Sequence, residues 1–183
     1  MIWFTADHHL GHTNIIEYCN RPFKNVDEMD SIMIDRWNEV VNPEDTVYHL
    51  GDLSLSKEWN VVISTYISRL NGNIIFIPGG HDKWLYSTNR NYTFVHKKFY
   101  VENPLITLND NTPIILCHYA MRVWDRSHYN SWHLYGHSHG MLDGVGKSMD
   151  VGVDTNDFYP YSLDQIKSIM EKKPDNFNYI GDK

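Results

Sequence analysis

Apolar residues along this chain come in short runs that break off at polar clusters. Residues 2–6 form the first run and stop at Asp7-His8-His9. An apolar stretch of this length predicts a buried strand. Residues 46–50 repeat the pattern and stop at Gly51-Asp52, and residues 74–77 stop at Pro78-Gly79-Gly80-His81-Asp82. Between these runs the spacing becomes helical. Asn25 followed by Glu28 resembles a capping box, and Met29, Ile32, Met33, Trp37 and Val40 recur on one helical face until Asn42-Pro43. A second helix is predicted over 57–70, ended by Asn71-Gly72.

The second half predicts mostly β structure. Residues 94–95, 100–101, 105–108 and 114–117 read as strand segments joined by Asn, Asp and Pro turns. Residues 132–135 form another strand, stopping at Gly136-His137-Ser138-His139, and 149–153 form the last. Ser162 with Gln165 caps a C-terminal helix through Ile166, Ile169 and Met170. From Lys173 onward the chain reads as a loose tail. No internal repeat or linker interrupts residues 1–183, which therefore read as one domain. Five strands end in a cluster of Asp, His or Gly, and ligands of α/β folds bind beyond the carboxyl ends of strands. The chemistry is expected along one sheet edge.

Composition narrows the class. A chain of 183 residues with 42% hydrophobic and 21% charged residues has ordinary globular proportions. The net charge of −7 comes with no basic stripe, so there is no footprint for gripping a nucleic-acid backbone. A phosphate substrate stays compatible with that charge if bound divalent cations invert the local potential. Cys19 and Cys117 match no metal or redox spacing and, without a secretory run, read as reduced thiols of a cytoplasmic protein. No apolar run is long enough to span a membrane.

The polar clusters carry the candidate chemistry. In Asp7-x-His9 and His137-x-His139, side chains two apart on an extended stretch point the same way, so each pair is able to chelate one ion. Asp52 offers a carboxylate able to bridge two cations, and His118 ends the 114–117 strand. Asp and His ligands without thiolate suit Mn²⁺, Fe or Zn²⁺ better than Mg²⁺ or Ca²⁺. His49, His96, His128 and His133 read as ordinary surface or core residues.

In their order, these motifs resemble those of the calcineurin-like metallophosphoesterase superfamily: D-x-H, G-D, G-N-H-D/E, a strand-end H, and G-H-x-H. The resemblance runs from Asp7 to His139, and Asp150-Val151-Gly152-Val153-Asp154 resembles the strand that follows the last motif. It implies a four-layer α/β/β/α sandwich with two facing mixed sheets and a metal pair at their edge. Asp7, His9 and His139 would hold one ion, and His118 and His137 the other, with Asp52 bridging. The implied cofactors are two divalent ions, Mn²⁺ first, with Fe, Zn²⁺ or Ni²⁺ as alternatives. The implied activity is hydrolysis of a phosphoester by a metal-bridging hydroxide, with His81 protonating the leaving alkoxide and Asp82 orienting His81. One position departs from the pattern: Gly80 stands where the superfamily has an asparagine ligand, so a weaker second site and reduced activity are expected.

Substrate contacts are expected from His12 and Asn14, just past the first motif, and from Arg122. Arg21, Lys83 and Arg126 also follow ligand motifs but read as surface charges. Tyr119, Trp124, Tyr129 and Trp132 either stack a nucleobase or fill the core. The expected partner is a small, nucleotide-sized phosphoester, acted on by a phosphodiesterase or phosphatase. The alternatives are a nuclease of the same fold, an attenuated protein that binds metal and phosphoester, and a structural zinc protein. Monoester or diester preference and oligomeric state stay open at this point.

Overall fold

The three apolar runs of the first half become parallel neighbours in the computed structural model, which describes residues 1–87, 91–94, 97–102, 105–110 and 112–181. In β1 (Ile2–Thr5), β2 (Thr46–His49) and β3 (Asn73–Phe76), Thr5 pairs with His49 and His49 with Phe76. Parallel strands need long crossovers. α1 (Thr13–Tyr18) and α2 (Val26–Val40) supply the first, and a helical segment starting with α3 (Trp59–Val61) supplies the second. β4 (Asn91–Phe94) and β5 (Lys97–Val101) extend one side of this sheet, and β10 (Tyr161–Ser162) closes the other, giving the order β10-β1-β2-β3-β5-β4. Val95 of the predicted 94–95 segment, and His96, lie outside the described residues.

A second sheet has the order β6-β7-β8-β9, formed by β6 (Leu105–Asp110), β7 (Thr112–Cys117), β8 (Trp132–Tyr135) and β9 (Ser148–Asp150). Both sheets are mixed, with β4 and β10 antiparallel in the first and β6 antiparallel in the second. The fold is therefore α/β with two mixed sheets. Strand alternation sorts the core into two layers. Trp3, Val47, Ile74, Phe76 and Phe99 pack with Met33, Trp37, Val62 and Ile67 of the helical side. Phe4, Ala6, Tyr48 and Leu50 meet Ile114, Leu116, Leu134 and Met149 of the second sheet, joined by Ile166 and Met170 of α4 (Leu163–Lys172). On the second sheet's other face, Trp124 covers buried His133, with ring centroids 5.3 Å apart. Both nitrogens of His133 are used, on Ile115 O at 3.0 Å and on the Met121 N–H at 3.1 Å, so it is a core residue.

Local departures have physical causes. The predicted 57–70 helix widens to a π turn over Val62–Tyr66 and tightens to a 3₁₀ turn over Ile67–Arg69. β-Branched Val61, Val62, Ile63 and Thr65 favour helix weakly, so the packing of Val62, Tyr66 and Ile67 sets the winding. Ser162 and Gln165 form the full reciprocal cap, whereas at α2 the Glu28 carboxylate takes the Lys24 N–H instead of that of Asn25. The segment after Lys173 is not loose: buried Asn176 donates its amide to Ser127 O (2.9 Å) and Ser131 O (3.0 Å) and accepts the Lys147 N–H (2.7 Å). These carbonyls also accept the Asn130 N–H (3.1 Å) and Trp124 Nε1–H (3.0 Å), so the amide fills their second acceptor positions and ties the tail to the loop before β8.

Candidate metal centre

The ends of β1, β2, β7 and β8 converge on one place. Beyond β1 and β2 the loops stay paired: Asp7 N–H donates to Gly51 O (3.0 Å), His9 N–H to Asp52 O (3.0 Å) and Leu10 N–H to Leu53 O (2.8 Å). An isolated parallel bridge between Ala6 and Gly152 ties this edge to the segment following β9. Glycine is required where the loops touch. A Cβ on Gly136 would stand 2.6 Å from Ala6 Cβ and 2.7 Å from Asp7 Oδ2, and Gly51 has φ +92°.

The ligand side chains are not carried on extended backbone. Asp7 (φ 61°), His9 (53°), Asp52 (56°), His137 (69°) and His139 (48°) all occupy the left-handed region. Such conformations cost about 1–3 kcal/mol each and cluster at functional sites. These turns re-aim the side chains, so that His137 and His139 face different donor groups. The donor atoms fall into two sets, Asp7–His9–His139 and Asp52–His118–His137, each with its donor atoms within 4.8 Å of one another.

Asp52 Oδ2 faces both sets, 3.7 Å from His9 Nε2 and 3.4 Å from His118 Nε2. Its other oxygen accepts the His81 N–H at 2.8 Å. Asp7 Oδ2 accepts the His137 N–H at 2.7 Å, while Asp7 Oδ1, both ring nitrogens of His9 and His118 Nε2 are buried without a hydrogen-bond partner. Each such group costs about 1–3 kcal/mol unsatisfied. Divalent cations would satisfy Asp7 Oδ1, His118 Nε2 and one nitrogen of His9, so these residues fit a metal pair.

Surrounding groups prepare the imidazoles as ligands. His118 donates Nδ1–H to Leu50 O (2.7 Å), which leaves the Nε2 lone pair free. His139 Nδ1 lies 2.7 Å from Asp154 Oδ2, and Asp154 receives Arg21 Nε at 2.7 Å and Nη2 at 2.8 Å. Arg21 also donates to Asp7 O (2.7 Å) and His8 O (2.9 Å). It is therefore a buried strut and not the surface charge expected from sequence. Asp150 fixes the His137–His139 turn by accepting Ser138 Oγ–H (2.7 Å) and the Gly140 N–H (2.9 Å). Asp150-x-x-x-Asp154 was the sequence signal for both of these supports.

The charges are strongly interdependent. Burial pushes Asp7 up to about 7, against the pull of His118 and His139. Burial drives His9 down to about 3 although Asp52 opposes it. For His118 burial acts downward, but Asp52 and Asp7 outweigh it and raise the ring to about 9. Asp52 is held well below the usual carboxylate range: burial opposes this, and His118 provides the largest pull downward. A cation entering here would displace a proton from His118. A third set, Cys19–His139–Asp154, also lies within ligand distance. Arg21 already neutralises that Asp154, and burial pushes the Cys19 thiol up to about 11.

The other expected site residues divide. His81 stands half exposed at the mouth, its Nε2 4.0 Å from Asp52 Oδ2. Asp82 does not orient it. Buried Asp82 instead accepts the Asp52 N–H (2.6 Å), Gly79 N–H (2.8 Å), Leu53 N–H (3.0 Å) and Trp84 Nε1–H (3.1 Å), which shapes the Asp52 turn. The His12 ring lies 5.6 Å from that of His9 and 6.5 Å from that of His81. Asn14 is exposed on α1, and Arg122 lies over the Phe177 ring at 4.9 Å. Buried His49 bonds His8 Nδ1 at 3.0 Å, and exposed His128 lies against Tyr129 with the rings tilted by 45°.

Among known proteins, no family model matches the chain. It is 35% identical over 180 residues to the uncharacterized protein MJ1445 of Methanocaldococcus jannaschii, covering 93% of this chain and 92% of that one. Gene 66 protein of Mycobacterium phage L5 is 37% identical over 81 residues, 44% of this chain and 39% of the phage protein. Among solved structures, the protein of unknown function AQ665 from Aquifex aeolicus superposes with a TM-score of 0.70 at 23% identity, covering 92% of this chain and 98% of that one. That likeness concerns the fold.

Proposed function

The chain belongs to the family of the uncharacterized protein MJ1445, and we propose that it is a metal-dependent hydrolase of phosphoester bonds, of the calcineurin-like metallophosphoesterase type. The observation that carries the reading is Asp52 Oδ2 set between two three-donor groups whose buried atoms lack partners. The facing mixed sheets, with helices packed over the first, support the four-layer α/β/β/α sandwich of that superfamily. Asp7, His9 and His139 would hold one ion and His118 and His137 the other, with Asp52 available to both and Mn²⁺ the first choice. Divalent ions at such sites polarise phosphoryl oxygens and acidify water.

The protein's own groups do the rest. His81 is anchored through its N–H to Asp52 and exposes its ring at the mouth, where it donates a proton to the leaving alkoxide. His12, next to His9 and His81, contacts the phosphate. Exposed Tyr18, whose ring lies 6.2 Å from that of His12, and Tyr119, 4.8 Å from His118, offer apolar contact to a nucleotide-sized leaving group. Free Cys19 and Cys117 agree with a cytoplasmic setting, and among the described residues no helix is long and apolar enough to cross a membrane.

Metal-stripped protein reloaded with Mn²⁺ tests the reading. Elemental analysis should count two ions, and both p-nitrophenyl phosphate and its bis ester should be offered as substrates. Asp52→Asn should lower hydrolysis at least about a hundredfold, the scale of losing charge stabilisation at a reacting centre. Two bound ions with hydrolysis of neither ester would overturn the enzymatic reading, and one tightly held ion whose removal unfolds the chain would make the metal structural.

A further inference from the structure

The Asp52–His118–His137 set supplies three donors, whereas first-row divalent ions take four or more. Its open side is bounded by Gly79, Gly80 and Tyr119. Position 79 has no room, since a Cβ there would stand 2.3 Å from Asp52 Oδ1 and 2.8 Å from His118 Cε1. Position 80 is open: the atom that a Cβ there would meet is Tyr119 Oη, at 3.2 Å. The Tyr119 ring stands edge-on to both imidazoles of the set, 4.8 Å from His118 and 4.9 Å from His137. Tyr119 is 49% exposed, so burial of its own ring does not explain why it lies there.

We propose that Tyr119 is a further residue of the second ion's site, its hydroxyl supplying the oxygen contact that glycine at position 80 cannot. The proposal rests on the two-ion reading above. Because Oη occupies the space next to position 80, the phenol and a side chain at that position are alternatives. A Cβ at 80 would stand 3.2 Å from Oη, so an asparagine there requires the phenol to shift by a few tenths of an ångström, a demand that phenylalanine at 119 removes.

Calorimetric titration of the metal-stripped full chain with Mn²⁺ tests this, using wild type, Tyr119→Phe and the double variant Tyr119→Phe/Gly80→Asn. Wild type should bind two ions, one tighter. Tyr119→Phe should weaken the weaker site about tenfold or more, the usual cost of losing a group that supports a metal site, and leave the tighter site and the metal-free melting temperature unchanged. Adding Gly80→Asn should restore the weaker site. Two ions bound with both affinities unchanged in Tyr119→Phe would overturn this proposal alone. Weakening that asparagine does not rescue would also overturn it, since the phenol would then be acting elsewhere. A wild type that binds one ion would remove the two-ion reading and this proposal together.

Discussion

Replacing Asp154 by asparagine tests the support of the first donor set. Asp154 and Arg21 form a two-point ion pair with side-chain exposures of 9% and 0%, and Asp154 also takes the His139 Nδ1 contact at 2.7 Å. Asparagine keeps the shape but removes the charge, and its NH₂ group faces donors. The Arg21 guanidinium then stays buried without a counter-charge, facing the carbonyls of Asp7 and His8, Met29 Sδ and a neutral amide. Breaking a buried pair from one side costs about 3–5 kcal/mol. For a chain of this size each kcal/mol moves the melting temperature by about 2–4 °C, so a drop of roughly 6–20 °C is expected. Urea unfolding in EDTA at pH 7 measures the stability without metal. In a separate titration, His139 without its carboxylate should bind the first ion about 10–100-fold more weakly. A stability change within about 0.5 kcal/mol, the range of ordinary surface substitutions, would refute the buried-pair argument. Unchanged metal affinity would refute the role given to Asp154 in holding His139.

Three further outcomes are expected. Mn²⁺ at a hundred times its dissociation constant should stabilise the chain by about 2.7 kcal/mol, raising the melting temperature by roughly 5–11 °C over EDTA; no shift by differential scanning fluorimetry would count against a preformed site. Gly136→Ala forces a methyl group to 2.6 Å from Ala6 Cβ, and overpacking of this kind costs about 1–3 kcal/mol. Its urea midpoint should fall and its first-ion affinity with it, whereas wild-type values in both would mean the β1 edge has slack. Burial pushes Asp30 up from 3.8 to about 6, the Gly11 N–H only partly opposing it. A carboxyl raised in the folded state contributes stability that is present below pH 3.8 and lost as pH rises through about 6. Wild type should therefore lose urea stability relative to Asp30→Asn between pH 4 and 7, and parallel profiles would show that Asp30 is not perturbed.

Several features were legible because they depend on near neighbours. The apolar runs ending at Asp7, Asp52, His118 and His137 became strand ends, and Asn25 and Ser162 became helix caps, since both signals lie within a few residues. The winding of 62–69, the anchoring of Asn176 and the burial of Arg21 were not legible. Each depends on a partner remote in the chain: Phe76 and Phe99 for the helical segment, Ser127 and Ser131 for Asn176, Asp154 for Arg21.

The same division runs through the candidate metal centre. Sequence alone determined which side chains were available, because short strands with polar ends deliver Asp and His to one sheet edge. The tertiary structure decided how the backbone aims them, through the left-handed turns that separate His137 from His139, and it assigned Asp82 to the Asp52 turn instead of to His81. Strand periodicity predicts side-chain direction only while the backbone stays extended. At Asp7, His9, Asp52, His137 and His139 the backbone is left-handed, and the hydrogen bonds that hold it so come from other strands: Asp7 on Gly51, His9 on Asp52 and His137 on Asp7.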